Sequence, residues 1–392
     1  MNAFSSLDPR DRRGPVVCIG SVVADLVAHP LRTVPAPGRQ ALVDSIGLYS
    51  GGSGGNTASA LARLGVPVEL IARTGADALG EFLRQELGRR GIGLTGLRRT
   101  TGVGTSCTLA LVDPDGERRF IHAVGANAHL TLADVDWGLI ERAPIVHVAG
   151  ALVLPGLDGA PLAELLARAR QLGALTSLDI IWDDTGRWMQ MLGPALPFVH
   201  LFLPNLAEAQ ALTGCQAPDA AGQALLAAGV SAVVIKLGAA GCLVKTAAGP
   251  ALTVPGFPAA ALDATGAGDA FAAGLLAALW RGHDLASAAP SPTPSARSAS
   301  HPWAPRPVLA PGRRHWRCWT RPASQDLRRV EDRAQAHQVN ENPHMLLFPG
   351  KFQTLIRQLP VDAGPRVEDH KITGLFAFAR QVAAQLRQPR FE

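Results

Sequence analysis

The sequence predicts an α/β fold: a doubly wound, mostly parallel sheet with helices on both faces, plus a small β-sheet that forms a lid. From residue 145 onward, short β-branched runs alternate with helical segments, which is the pattern of successive βαβ units. A hairpin pattern at residues 105–122 stands outside this alternation and therefore predicts a small appended sheet. With 392 residues, of which 47% are hydrophobic, the chain is long enough for one large domain with additional segments.

The composition favours a cytoplasmic protein that binds neither a membrane nor nucleic acid. The longest apolar runs are too short to span a bilayer, and residues 1–14 form a polar leader without the apolar stretch of a signal peptide. The five cysteines form no CxxC pair, which is typical of reduced thiols rather than of a zinc site or a disulfide framework. Residues 285–330 contain eight arginines and one acidic residue, whereas the remainder is close to neutral. The net charge of +5 is therefore no argument for nucleic-acid binding.

The first predicted elements are a buried strand and a strand of the outlying sheet. Residues 16–20, VVCIG, form a β-branched run that ends in glycine. Asp25 follows the end of this strand, where open parallel sheets place ligand-binding groups. Residues 41–49 alternate in part, and we expect them to form a strand of the small sheet.

A glycine-rich segment at residues 51–65, GGSGGNTASALARLG, leads into a helix. Gly51 and Gly52 allow a ligand hydroxyl to approach the main chain closely, and the Asn56 amide can both donate and accept hydrogen bonds. A flexible turn with Asn56 as the helix N-cap fits the same pattern. The segment predicts either a ligand contact or a capped turn.

The next segments predict a strand, a helix and the hairpin. Residues 68–72 form the strand, and residues 77–90 carry apolar residues on one side of a helix. The runs SCTLALV and ERRFIHAV then flank DPDG at residues 113–116, a strong turn signal. We expect residues 38–50 and 103–125 together to cover a ligand as a lid.

The second half of the chain carries four predicted strands with helices between them. The strands lie at residues 145–150, 174–180, 198–205 and 232–238, and helices include residues 161–172 and 206–213. Because doubly wound sheets bind ligands outside the carboxyl ends of their strands, the residues at those ends are site candidates. They are Gly150, Asp179, Asn205, Lys236 and Gly238.

Two of these strand ends carry groups suited to a nucleotide and its metal. Asn205 and Glu208 supply oxygen ligands of the kind that a hydrated Mg²⁺ prefers. The same spacing also fits a capping box, with asparagine at the N-cap and glutamate at the third helical position. Lys236 and the glycines of the following turn, Gly238 and Gly241, are candidates for phosphate contacts, although a lone strand-end lysine is more often simply solvated.

The stretch DATGAGDAFAAGLLAAL, residues 263–279, combines small residues with the start of an apolar helix. Gly266 and Gly268 allow backbone N–H groups to face an anion closely at the helix start. Asp269 falls in the first turn, where the helix dipole favours its ionised form. A carboxylate beside such an anion site is what phosphoryl transfer to a hydroxyl requires. A glycine-rich turn with a capping aspartate is the alternative interpretation.

These segments, in this order, resemble the ribokinase-like (PfkB) family of carbohydrate kinases. The resemblance is carried by GGSGGNTASALARLG, by Asn205 and Glu208 in PNLAEAQALTG, and by DATGAGDAFAAG. It covers roughly residues 15–289 and predicts one kinase domain over that range. It implies a doubly wound α/β domain with a β-sheet lid, and transfer of the γ-phosphate of ATP to a sugar hydroxymethyl group.

The resemblance also assigns roles to individual residues. Asp269 is implied to be the general base, and an anion hole is formed by the main-chain N–H groups of Gly266, Ala267 and Gly268. Asn205 and Glu208 are implied to hold Mg²⁺ through water. The residues implied to hold sugar hydroxyls are Asp25, Gly51, Gly52 and Asn56. Those implied to contact ATP are Asn205, Glu208, Lys236, Gly238, Gly241 and Thr265, and Asp263 lies near a monovalent cation such as K⁺.

The chain departs from the family pattern in three places. Ala264 stands where threonine, serine or valine is commoner, and Ser53 replaces a lysine often seen in ribokinase itself, which weakens the case for ribose as substrate. After Ala289 the hydrophobic period stops, and residues 290–322 contain eight prolines and three tryptophans. A reading-frame change, a genuine linker and a nucleic-acid-binding arm all fit this Arg/Pro/Trp-rich tail at residues 290–392.

The expected function is that of an ATP-dependent sugar kinase with a small-molecule substrate and a homodimer formed through the lid. Two alternatives remain open. A nucleoside kinase of the same fold would bury a base against aromatic residues such as Tyr49, Phe120 or Trp182. A non-catalytic sugar-binding protein would lack a complete ATP site because of the altered tail.

Overall fold

The structure is a computed structural model that describes residues 14–256, 266–283 and 285. The predicted polar leader, except for residue 14, and the predicted tail at residues 290–392 lie outside the described residues. The strands are β1 Val16–Gly20, β2 Val23–His29, β3 Ser45–Gly51, β4 Val68–Gly75, β5 Leu97–Thr100, β6 Cys107–Val112, β7 Arg118–Ala123, β8 Ile145–Ala151, β9 Leu175–Ile180, β10 Leu201–Phe202, β11 Ala232–Lys236, β12 Cys242–Thr246 and β13 Leu252–Val254. The α-helices are α1 Ser53–Arg63, α2 Ala78–Arg89, α3 Trp137–Arg142, α4 Ala160–Gln171, α5 Trp188–Leu192, α6 Leu206–Thr213, α7 Pro218–Ala227 and α8 Ala267–Trp280.

The main sheet of the described chain has nine strands in the order β13-β12-β11-β10-β9-β8-β1-β4-β5. The strands from β11 to β5 pair in parallel, and β12 and β13 extend that sheet with antiparallel pairings. All residues of β1 are buried, as expected for a central parallel strand whose sequence is apolar on both faces. The fold class predicted from the sequence is confirmed.

Helices cover both faces of this sheet and build two apolar layers. One layer contains residues of α1, α2 and α8, with Leu61, Leu83 and Leu276 among its buried side chains. The other layer contains residues of α4, α6 and α7. Because α8 packs against both α1 and the sheet, it is buried over most of its length, which explains why its sequence is apolar nearly all round.

A small four-stranded sheet, in the order β3-β2-β6-β7, stands apart from the main sheet. It contains the predicted hairpin, and its β3 overlaps the strand predicted at residues 41–49. It also contains β2. This strand was not part of the predicted lid, which comprised residues 38–50 and 103–125. Asp25 therefore lies within a strand of the small sheet, opposite Tyr49 on one side and Thr108 on the other.

Two local predictions are wrong. Asn56 is not an N-cap: α1 begins at Ser53, and its N-cap is Gly52 with a φ of 83°. The strand predicted at residues 198–205 is reduced to β10, because Phe198 belongs to a 3₁₀ turn and Asn205 is already the N-cap of α6. Since proline lacks an N–H group, Pro204 cannot donate a hydrogen bond to a neighbouring strand.

The described helices include none that is both long and apolar enough to cross a membrane.

Candidate functional site

The site is built where the glycine-rich start of α1 lies against the end of β1. A Cβ on Gly54 would lie 2.9 Å from the carbonyl carbon of Gly20, and one on Gly52 would lie 2.7 Å from the carbonyl oxygen of Ser21. The side chain of Ser21 accepts a hydrogen bond from the Ser53 N–H group at 3.1 Å. The glycines thus bring the first turn of α1 into contact with the strand end, which side chains would prevent.

Asp269 lies in the first turn of α8 and is held by the first turns of α1. The Asn56 Nδ2 group donates a hydrogen bond to Asp269 Oδ2 at 2.9 Å. Burial raises the pKa of Asp269 to about 6; Asp179 raises it as well, whereas the donors Asn56 and Ser53 and the charge of Lys236 lower it. A carboxylate with this pKa is ionised at neutral pH and yet is a stronger base than an ordinary aspartate.

The start of α8 presents backbone N–H groups beside this carboxylate. Gly266 is the N-cap residue of α8 with a φ of 75°, in the left-handed region that favours glycine. By helix geometry, the first N–H groups of α8, which begin at Ala267 and Gly268, have no carbonyl partner within the helix. This end of the helix is suited to an anion.

Lys236 points from the end of β11 towards the same helix start. Its Nζ lies 2.8 Å from both carboxylate oxygens of Asp179, at the end of β9. The same Nζ lies 3.3 Å from the position that a Cβ on Gly268 would take. The ammonium group therefore lies directly beside the start of α8, and the Lys236 side chain is only 14% exposed.

Asn205 and Glu208 form the capping box of α6. The Glu208 N–H group donates to Asn205 Oδ1 at 2.9 Å, and the Asn205 N–H group donates to Glu208 Oε2 at 2.8 Å. Burial raises the pKa of Glu208 to about 7, an effect that the Asn205 N–H group and Lys236 oppose. The backbone of Asn205 pairs with that of Lys236. The capping interpretation is confirmed, and the pair lies next to the strand that carries Lys236.

The described residues contain no group of three or more His, Cys, Asp or Glu side chains that could hold a metal ion. A hydrated Mg²⁺ does not require such a group, because it keeps several waters and binds one or two carboxylates together with phosphates. The nearly buried carboxylate of Glu208, beside the cationic Lys236, fits that limited role.

Asp25 of β2 forms a second polar region at the glycine segment. Its carboxylate lies against Gly51, where any Cβ would overlap it. Burial raises the pKa of Asp25 to about 6, although a hydrogen bond from the Thr108 side chain lowers it. Thr108 in turn contacts His122 Nδ1 at 3.0 Å. Asp25, Gly51 and Gly52 are thus brought together at the β3–α1 junction, as the sequence predicted.

The remaining predicted residues fall into two groups. Gly238 and Gly241 lie in the turn that follows β11, and a Cβ on Gly241 would overlap the backbone oxygen of Val254, so packing alone requires glycine there. Thr265 and Asp263 lie outside the described residues. Their predicted contacts with ATP and with a monovalent cation stay predictions.

The sequence did not assign roles to Asp179, Ser53 or Thr108. Asp179 was a strand-end candidate, but its pairing with Lys236 requires that β9 and β11 flank β10, which only the sheet order shows. For Ser53, the sequence showed only that it replaces a lysine often found in ribokinase. Thr108 lies within a strand, and the alternation of a strand sequence does not indicate which side chains are functional.

Together these residues combine a helix start suited to an anion, a lysine ammonium, a buried carboxylate and a polar region at the β3–α1 junction. The carboxylate of Asp269 lies within hydrogen-bond reach of Asn56 and in the first turn of α8. Such an arrangement can accept a proton from a hydroxyl while that hydroxyl attacks a phosphoryl group held at the helix start.

The chain is similar to several known carbohydrate kinases. The 2-dehydro-3-deoxygluconokinase of Bacillus subtilis is 26% identical over 243 residues, which cover 59% of this chain and 74% of that protein. The ribokinase of Haemophilus influenzae is 28% identical over 276 residues, which cover 68% of this chain and 86% of that protein. The structure of Arabidopsis thaliana ribokinase complexed with ribose and ATP matches with a TM-score of 0.63 and 25% identity, over 70% of this chain and 88% of that one. The family model of the pfkB family carbohydrate kinases matches residues 14–296, and the chain belongs to this family.

Proposed function

We propose that the protein is a cytoplasmic, ATP-dependent carbohydrate kinase that transfers the γ-phosphate to a sugar hydroxymethyl group, with Asp269 as the general base. The observation that carries this proposal is the position of Asp269: it lies in the first turn of α8, beside Lys236, and accepts a hydrogen bond from Asn56. The resemblance to kinases that act on ribose and on 2-dehydro-3-deoxygluconate supports a small sugar or sugar acid as substrate.

The residues of the glycine segment bind and orient the sugar in this proposal. Asp25 accepts hydrogen bonds from sugar hydroxyls at the β3–α1 junction, and the open backbone at Gly51 and Gly52 allows the ring to approach. Asn56 reaches both the sugar and Asp269, so it aligns the attacking hydroxyl with the base. The small sheet carries Asp25 and excludes water from the bound sugar.

The chain's own residues fit a magnesium-bound nucleotide. Bound MgATP supplies the phosphoryl group and part of the charge neutralisation. The N–H groups at the start of α8 and the Lys236 ammonium hold phosphate oxygens, while Glu208 and Asn205 hold the hydrated metal. Asp269 takes the proton of the hydroxyl, and no covalent enzyme intermediate is required.

Activity is expected to fall as the pH drops through about 6. The base must be ionised to accept a proton, and burial raises the pKa of Asp269 to about 6, so protonation removes the active form below that pH. Replacing Asn56 with alanine removes a donor that lowers this pKa, so the acid limb should move to higher pH. The pH dependence of kcat/KM for both proteins measures this; an acid limb near pH 4 in the unaltered enzyme would contradict it.

The direct test is ADP release by the full-length protein with Mg²⁺-ATP and K⁺. The substrate panel contains pentoses, hexoses, keto-deoxy sugar acids and nucleosides, so it also tests the alternative of a nucleoside kinase. We expect turnover on one sugar or sugar acid. Preferential turnover of a nucleoside would show that the substrate is a nucleoside and not a sugar. A folded protein that turns over nothing on the panel would contradict the proposed activity.

We also propose that the small sheet pairs two subunits. Leu26, Leu48, Leu109 and Ile121 lie in one cross-strand row, on the opposite face from Asp25, and Ile121 is 62% exposed. An apolar row of this kind on a small sheet is suited to pack against its copy. Light scattering should give a dimer that Ile121→Lys dissociates; a monomeric unaltered protein would contradict this.

A further inference from the structure

The ion pair between Asp179 and Lys236 lies in the candidate site, beside the start of α8. Both carboxylate oxygens of Asp179 lie 2.8 Å from Lys236 Nζ, and the two side chains are 5% and 14% exposed. Removing two charged groups from water costs free energy that their attraction often fails to recover. Such a pair is therefore weak evidence for a stabilising role, and its position requires another explanation.

The position of the ammonium is electrostatically unfavourable without Asp179. Lys236 Nζ lies beside Gly268, in the first turn of α8, where the helix dipole and the free N–H groups already carry positive charge. A lysine side chain is flexible and strongly hydrated, so in that field it would turn away towards water. The two oxygens of Asp179 offset the repulsion and fix the ammonium at the helix start.

Asp179 and Lys236 also have opposite effects on the pKa values of the two neighbouring acids, Asp269 and Glu208. Asp179 raises and Lys236 lowers the pKa of Asp269, and the same signs apply to Glu208. The groups that face Asp269 come from α1 (Asn56 and Ser53), from β9 (Asp179) and from β11 (Lys236). The pair is thus close enough to both Asp269 and Glu208 to influence the charge of each.

A second aspartate–lysine pair, between α7 and β12, provides a contrast. Lys245 Nζ on β12 lies 2.7 Å from Asp219 Oδ1 on α7, and the Asp219 side chain is 61% exposed. That pair joins a helix to an outer strand at the surface. Because it is chemically identical but lies outside the site, it serves as a matched control.

We propose that Asp179 is a positioning residue: it holds the ammonium group of Lys236 at the start of α8, so that this charge is in place for the phosphate groups of a bound nucleotide. This rests on the proposed kinase function. Asp179 itself touches neither sugar nor phosphate and acts through Lys236. Gly268 contributes to this arrangement, because the absence of a side chain at that position leaves room for the Lys236 ammonium.

The test measures the affinities for ADP and for adenosine by calorimetry, in the full-length protein and in Asp179→Asn. The variant removes the charge and keeps the shape, so Lys236 loses its anchor. We expect ADP to bind about 10- to 100-fold more weakly, since a hydrogen-bonded charge contact is lost, and adenosine binding to stay unchanged. In steady-state kinetics, KM for ATP should rise and KM for the sugar should not. Asp219→Asn should change neither affinity.

A double variant separates positioning from a structural role. Lys236→Met should weaken ADP binding because it leaves the Asp179 charge near the phosphates, and adding Asp179→Asn to it should restore affinity or leave it unchanged. The proposal is overturned if Asp179→Asn leaves ADP affinity unchanged, if it weakens ADP and adenosine equally, or if it weakens ADP binding further in the Lys236→Met background. An unaltered protein that binds no ADP would overturn the kinase proposal itself, whereas normal ADP binding in both proteins overturns only the role of Asp179.

Discussion

Asp269→Asn is expected to lower turnover by roughly 10²- to 10⁴-fold, the usual contribution of a general base, while the sugar still binds. The asparagine side chain has the same shape and keeps a carbonyl oxygen that can accept the 2.9 Å hydrogen bond from Asn56. It has no useful basicity, so the hydroxyl proton has no acceptor as the phosphoryl group moves. Single-turnover rates measure the loss, and calorimetry with the sugar measures the retained binding.

The matched control for this variant is Asp184→Asn, which changes an exposed aspartate in the loop after β9. It should leave both turnover and sugar affinity unchanged. Near-normal turnover in Asp269→Asn would exclude Asp269 as the base. Loss of sugar binding along with turnover would show instead that the carboxylate shapes the site and would leave the base unassigned.

Gly20→Ala is expected to destabilise the protein by roughly 3 kcal/mol, an overpacking effect at the upper end of the usual range. A Cβ there would overlap the carbonyl oxygen of Ala149 on β8 and lie 3.3 Å from the Cα atom of Gly54 in α1. Both neighbours are backbone, so neither can turn away as a side chain would. The clash pushes α1 off the sheet, so sugar affinity should fall at temperatures where the variant is still folded.

Thermal unfolding measures this effect, with a fall in Tm of about 6 to 12 °C expected for a domain of this size. Gly249→Ala is the control, because a Cβ at Gly249 meets no atom within 4 Å and its φ is not in the left-handed region. It should change Tm little. An unchanged Tm in Gly20→Ala would mean that β1, β8 and α1 are not as closely packed as described.

The sequence predicted the local elements of this fold well where the hydrophobic periodicity was clear or where typical turn residues were present. The buried run at residues 16–20, the helix after Asp77 and the hairpin around residues 113–116 are all present. It failed where tertiary context decides the outcome. The strand β2 is an apolar run, VADLVAH, and nothing in its composition separates a small outlying sheet from the main one.

The site was predicted as a set of residues but not as a geometry. The resemblance to the ribokinase-like family placed Asp269, Asn56 and Glu208 in one site, at the edge of the sheet where parallel strand ends and helix starts meet. The hydrogen bond from Asn56 to Asp269 and the ion pair of Asp179 with Lys236 join residues from distant segments. Only the folded sheet order determines which of the strand-end side chains meet, and single-sequence periodicity carries no such information.

The hydrogen bond between Asn56 and Asp269 spans 213 positions of the chain, and this has a consequence during protein synthesis. Ribosomes add about 5 to 20 residues per second, so roughly 10 to 40 seconds separate the emergence of Asn56 from that of Asp269. During this interval the nascent chain can already form β1, β4, β8 and β9 in the growing sheet, because these strands precede α8. The unfinished chain then has a sheet but lacks Asp269. If the chain acts as proposed, a partial product cannot consume ATP, since the last α-helix described must emerge and pack against α1 before Asp269 is in place.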